Sequence, residues 1–154
     1  MGRLSGQAAI AGIGATEFSK DSGRSELRLA TEAVSAAIAD AGLQPSDVDG
    51  LVSFTMDTNA EIAVARSVGI GEMTYFSRIH YGGGAACATV QQAAMAVATG
   101  VADVVVAYRA FNERSGLRFG QVNSAVANQE NSSGTDNAFS LSLIHISEPT
   151  RLGM

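Results

Sequence analysis

Residues 82–110 read GGGAACATVQQAAMAVATGVADVVVAYRA, and the fold turns on this stretch. Three glycines and two alanines lead into Cys87, the one cysteine of the chain. A proline-free run rich in Ala, Val and Met covers 87–99 and Gly100 stops it, the pattern of a helix with a permissive C-terminal residue. The helix is apolar nearly all round, which predicts a place inside the domain. Residues 102–108 (ADVVVAY) form a continuous apolar run, as in a strand buried on both faces. A thiol at the mouth of the preceding helix meets unpaired N–H groups and partial positive charge. That setting suits a nucleophile, and the small residues before it let backbone approach a substrate.

Outward from this segment, the same alternation repeats. Residues 74–81 (TYFSRIHY) are rich in aromatic and β-branched residues and predict a strand. Residues 59–68 predict a short helix closed by Gly69 and Gly71, and 49–55 (DGLVSFT) a strand before it. The clearest helix is 25–41: Ser25 caps it, Leu27, Ala30, Val34, Ala37, Ile38 and Ala41 supply an apolar stripe, and Gly42 ends it. Residues 7–14 (QAAIAGIG) read as a buried first strand. Strands alternating with helices predict an α/β layer fold with a mostly parallel, mixed sheet and a buried nucleophile helix. From 112 to 137 the chain turns polar and Gly- and Asn-rich, a long loop of the kind that usually serves function.

Composition narrows the function classes. Hydrophobic residues reach 46% and charged residues only 16%, which suits one packed domain. The net charge of −5, with no Lys/Arg cluster, argues against nucleic acid or an anionic membrane as partner. One cysteine excludes an internal disulfide framework and a Cys-rich zinc site, so a reducing cytoplasm is the expected location. The first 14 residues lack a hydrophobic stretch long enough for a signal peptide or membrane span.

Residues 141–151 read LSLIHISEPTR, which reads as the in-frame translation of a sequencing adaptor. The expected organisation is therefore a truncated N-terminal domain over 1–140, followed by a non-native tail over 141–154. His145 leaves with the tail, and His80 is the remaining histidine.

The segments AIAGIGATEFSK, DVDGLVS, the stretch quoted at the outset and NERSGLRFG resemble the thiolase superfamily. The likeness covers about residues 7–125 and is greatest to the lipid-transfer-protein branch, related to sterol-carrier-protein thiolases. The resemblance implies the N-terminal half of a thiolase-like layered fold, with Cys87 at the start of the nucleophile helix. It also implies a homodimer through the strand from Tyr75 to Tyr81, with the other catalytic histidines and a second cysteine supplied by a C-terminal half. Two departures bear on activity. Val90 and Gln91 stand where thiolases usually have two glycines, and Gly84 or Ala85 takes the place of an asparagine before the cysteine. The same branch contains aldolases that cleave β-hydroxyacyl-CoA steroid side chains with a small OB-fold partner.

Cys87 is the leading site residue. By resemblance it would accept an acyl group from a coenzyme A thioester, the expected substrate, with no permanently bound cofactor. His80, seven residues earlier, is a conceivable base, although an imidazole hydrogen-bonded beside a subunit contact is the preferred reading. Gly12-Ile13-Gly14 lacks the third glycine of a dinucleotide fingerprint, since Glu17 occupies that position. Asp47, Asp49, Asp57 and Glu61 read as solvated caps near turns, without the spacing of a metal site. Arg109, Arg114 and Arg118 suit a solvated loop better than coenzyme A phosphates, and Tyr108, Phe111 and Phe119 suit core packing better than a lipid cavity.

The first expectation is thus part of an acyl-CoA enzyme of lipid or steroid metabolism, an acetyl-CoA acyltransferase acting through Cys87. The first alternative is a retro-aldolase with an OB-fold partner. A lipid- or acyl-CoA-binding protein without chemistry is the second. Fold alone does not choose among them.

Overall fold

A computed structural model describes residues 5–54, 58–80 and 86–112. The first element is helix α1 (Glu26–Asp40), started by Ser25, whose hydroxyl accepts from the Arg28 N–H at 3.2 Å. The capping oxygen satisfies one of the helix's orphan donors. Gly42 ends the helix at φ 70°, with Leu43 N–H donating back to the Ile38 carbonyl at 3.0 Å. That left-handed turn is one a residue with a Cβ adopts at a penalty.

After a 3-10 turn (Pro45–Asp47) come strand β1 (Gly50–Phe54), helix α2 (Glu61–Val68) and strand β2 (Tyr75–Ile79). Helix α3 (Ala88–Ala98) and strand β3 (Val105–Ala107) complete the order. The three strands are parallel, in the order β2-β1-β3, with Gly50 opposite both Tyr75 and Val105. A Cβ at Gly50 would lie 2.8 Å from a Val105 methyl, so the tight β1–β3 approach excludes a side chain there.

Two faces follow from the two-residue period of β1. Leu51, fully buried, packs with Leu29, Ala30, Val34 and Ile38 of α1, Val64 and Ala65 of α2, and Val48, Ile70, Tyr108 and Ala110. This is the core. The opposite face takes α3, whose Tyr75 tie from β2 donates its hydroxyl to Gln92 Oε1 at 3.0 Å.

Three expectations need correcting. Residues 7–14 form no strand. Gly12 and Gly14 press onto α1 so closely that a Cβ at Gly14 would lie 2.2 Å from the Ala33 carbonyl oxygen. Ile13 N–H donates to Asp40 Oδ2 at 2.9 Å, while Ile10 and Ile13 stay three-quarters exposed. A strand needs a ladder partner, and among the described residues this segment has a helix beneath it instead. Helix α3 is not enclosed: Thr89 and Ala96 are its buried residues, whereas Val90 and Met95 are exposed. Strand β3 is half-buried at an open sheet edge rather than covered on both faces. Arg114, Arg118, Phe119, Asp57, most of the polar stretch and the 141–154 tail lie outside the described residues.

Candidate functional site

In a parallel sheet with helical crossovers, each helix runs back against the strands, and the crossovers leave from the carboxyl edge. Ligands of open α/β sheets bind outside that edge. Here it carries the N-termini of all three helices and most of the chain's chemistry-bearing side chains.

Cys87 is the N-cap residue of α3 and is exposed. The expectation of a thiol at a helix start is met in its geometry. The first turn is closed by Thr89, a buried residue whose hydroxyl donates to the Ala86 carbonyl at 2.7 Å. His80 lies one residue past β2, also exposed.

On the α1/α2 face of the same edge sits an ionic group that the sequence reading treated as a solvated cap. Ser53 is fully buried and opposite Arg78 in the β1–β2 register. Its hydroxyl donates to Oε1 of Glu61, the first residue of α2. Arg78 donates from Nε to the same Glu61 oxygen at 2.9 Å and from Nη2 to the Asn59 carbonyl at 2.9 Å. Burial pushes the Glu61 carboxyl up, but hydrogen bonds from Ser53, its own amide and Arg78, with the guanidinium charge, hold it below the usual carboxylate range. The side chain of Glu61 is only 15% exposed, which rules out the solvated reading.

A second carboxylate works alongside. Glu26, in the first turn of α1, accepts from the Thr58 hydroxyl and from the Asn112 N–H at 3.1 Å. Asn112 in turn donates from Nδ2 to the Arg24 carbonyl at 2.8 Å. Arg109 places its guanidinium 5.4 Å from the centre of the buried Phe54 ring, at the end of β1. Tyr108 belongs to the core, as expected. Phe111 borders a groove of about 490 Å³ between residues 14–20 and 109–112.

The amino edge is different in kind. Asp49 accepts from Asp103 N–H at 2.9 Å and Val104 N–H at 2.8 Å, while its carbonyl accepts from Thr74 and Tyr75. One side chain therefore secures the entries to β2 and β3. Asp47 closes a reciprocal cap with Gln44, whose N–H it accepts at 2.8 Å. Among the described residues no group of three His, Cys, Asp or Glu side chains could hold a metal, and no helix is long and apolar enough to cross a membrane.

With this geometry, the chain has the α/β architecture of thiolase-like proteins in the sterol-carrier-protein thiolase-like branch. A monomeric SCP2-thiolase-like protein type 1 from Mycobacterium smegmatis superposes at TM-score 0.54 with 26% identity, over 64% of this chain and 22% of that one. Within that class, greater likeness is found to aldolases. The solved Ltp2-ChsH2(DUF35) aldolase matches at TM-score 0.73 and 73% identity, over 82% of this chain and 33% of that one. A 17-hydroxy-3-oxo-4-pregnene-20-carboxyl-CoA lyase of Mycobacterium tuberculosis is 77% identical over 137 residues, 89% of this chain and 36% of that protein. A steroid side-chain-cleaving aldolase of Thermomonospora curvata is 78% identical over 120 residues, 78% of this chain and 31% of that protein. No protein-family profile matches. The chain spans about a third of the length of the relatives it matches.

Proposed function

We propose that the protein to which this chain belongs is a lyase that cleaves a steroid side chain from a β-hydroxyacyl-CoA by a retro-aldol reaction. The observation that carries this reading is the 77–78% identity to two proteins named for such cleavage. It displaces acyl transfer, the first expectation, which keeps support at the level of the fold alone. The chemistry also differs in what it asks of the site. A base takes the proton of the β-hydroxyl, a carbonyl forms, and the bond from the β to the α carbon breaks. The electron pair passes to the thioester as an enolate, which is then protonated. No covalent acyl-enzyme is required, so Cys87 lines the carboxyl edge in this reading without serving as nucleophile. Donors fixed in advance around the enolate oxygen supply much of the rate in such reactions.

The coenzyme A thioester is the substrate in this proposal and no resident cofactor is involved. A partner of the DUF35 kind fits the likeness to a two-component aldolase. Pairing of two copies along the open edge of β2, where Phe76 is 69% exposed, fits the edge-strand chemistry. The test is to supply full-length protein, with and without the partner, with the 17-hydroxy steroid acyl-CoA named for the mycobacterial lyase. A steroid ketone and a shortened acyl-CoA in equal amounts are expected. Intact substrate in both reactions, under conditions where that lyase is active, contradicts the proposal.

A second reading has one observation in its favour, the exposed Cys87 at the N-terminus of α3. It would have this sulfur carry an acyl group between thioesters. An acyl adduct on Cys87 after addition of acetoacetyl-CoA is its signature.

A further inference from the structure

Residues 58–60, which connect the carboxyl end of β1 to α2, are held from two sides. Glu26 accepts from the Thr58 hydroxyl, and Arg78 grips the Asn59 carbonyl while it is itself braced by Glu61. Ser53 adds a third element from within β1. Ionic groups sunk this far out of water are an expensive way to stabilise a fold, because a well-packed apolar set fills similar space at no desolvation penalty. What they supply is a fixed geometry. The Asn59 side-chain Nδ2 is shielded from solvent and has no acceptor among the described residues. A buried donor left in this state calls for an oxygen from elsewhere.

The geometry points to Glu61 as a positioning residue that, through Arg78 and Ser53, fixes the 58–60 segment and the Asn59 amide at the substrate-binding edge of the sheet. Glu61 does not touch the reacting atoms in this account. It acts on them through the backbone it immobilises, and small displacements of such supports reduce rate more than affinity. This inference rests on the lyase reading for its kinetic consequence and on the structure alone for its mechanical one.

The experiment compares wild-type and Glu61→Gln full-length protein with the partner present. Glutamine keeps an acceptor for Ser53 and the shape of the side chain, but removes the charge that holds Arg78. The expected result is a fall in kcat of about tenfold or more, with KM changed by about twofold or less. The melting temperature should stay close to wild type, and amide exchange at 58–60 should rise by about tenfold. Arg78→Lys, which keeps the charge but loses the fork, should fall between the two in exchange and in kcat. Unchanged exchange at 58–60 overturns the inference, as does a kcat that falls only in step with the folded fraction. Absence of cleavage by wild type sinks the lyase reading alone, since the exchange measurement still decides this one.

Discussion

The two edges of the sheet are built from the same residue types and do opposite things. At the amino edge, Asp49 meets backbone N–H groups of Asp103 and Val104, which are present however the rest of the protein is arranged. At the carboxyl edge, Glu61 and Glu26 meet side chains and loop backbone, beside an exposed sulfur and an amide without an acceptor. A carboxylate that answers strand-entry amides is a fastener. One that answers a guanidinium, which in turn holds a loop, sets a geometry. The lesson is that burial and charge alone do not separate the two roles; the identity of the hydrogen-bonding partner does.

The widest test of the contrast lies in the packed face between the edges. Leu51→Ala removes a side chain fully enclosed between α1, α2 and β1, and should lower unfolding stability by about 2–5 kcal/mol. Chemical denaturation measures it, and activity per folded molecule should survive. Asp49→Ala should cost about 1.5–3 kcal/mol by leaving the Asp103 and Val104 amides without their acceptor. A thermal melt checks this, with KM expected to stay at the wild-type value. If Asp49→Ala instead lowered kcat at unchanged stability, the division between fastening and functional edges would fail. Gly14→Ala forces a Cβ to within 2.2 Å of a helix carbonyl and 2.4 Å of the Ala37 nitrogen. The strain should cost about 1–3 kcal/mol, visible in the same melt.

The smallest effect expected concerns pH. The Glu61 carboxyl has a folded-state pKa below its unfolded value, so the stability it contributes is complete above the unfolded value. That contribution drains away as pH falls through the folded one. Glu61→Gln should therefore flatten the acid limb of a stability–pH profile relative to wild type, and an unchanged limb would show that Glu61 is not held as described.

Much of the architecture was legible because local signals agreed with tertiary ones. Ser25 and Gly42 bracket α1 as caps do, Gly69 and Gly100 close α2 and α3 with positive φ, and the 49–55 and 74–81 runs contain β1 and β2. The failures share a cause. Residues 7–14, α3 and β3 were read as enclosed from their apolar composition, and composition does not say which other chain segment encloses them. The position of Cys87 was legible from the small residues before it, whereas the Glu61 group was not. Ser53, Glu61 and Arg78 are separated in sequence and meet only through the β1–β2 register, although Ser53 and Arg78 at inward strand positions were a usable signal. The choice between acyl transfer and cleavage was open in the residues, and Val90 and Gln91 pointed toward the reading that the similarity to aldolases now favours.

One measurement bears most directly on the account of the carboxyl edge as the seat of a lyase that needs no thiol nucleophile. Full-length Cys87→Ala, with its partner, should still convert the 17-hydroxy steroid acyl-CoA to ketone and shortened thioester at a rate within about threefold of wild type, or roughly 0.7 kcal/mol of barrier. Loss of cleavage in a folded Cys87→Ala protein, together with a trapped acyl group on the wild-type sulfur, would contradict it.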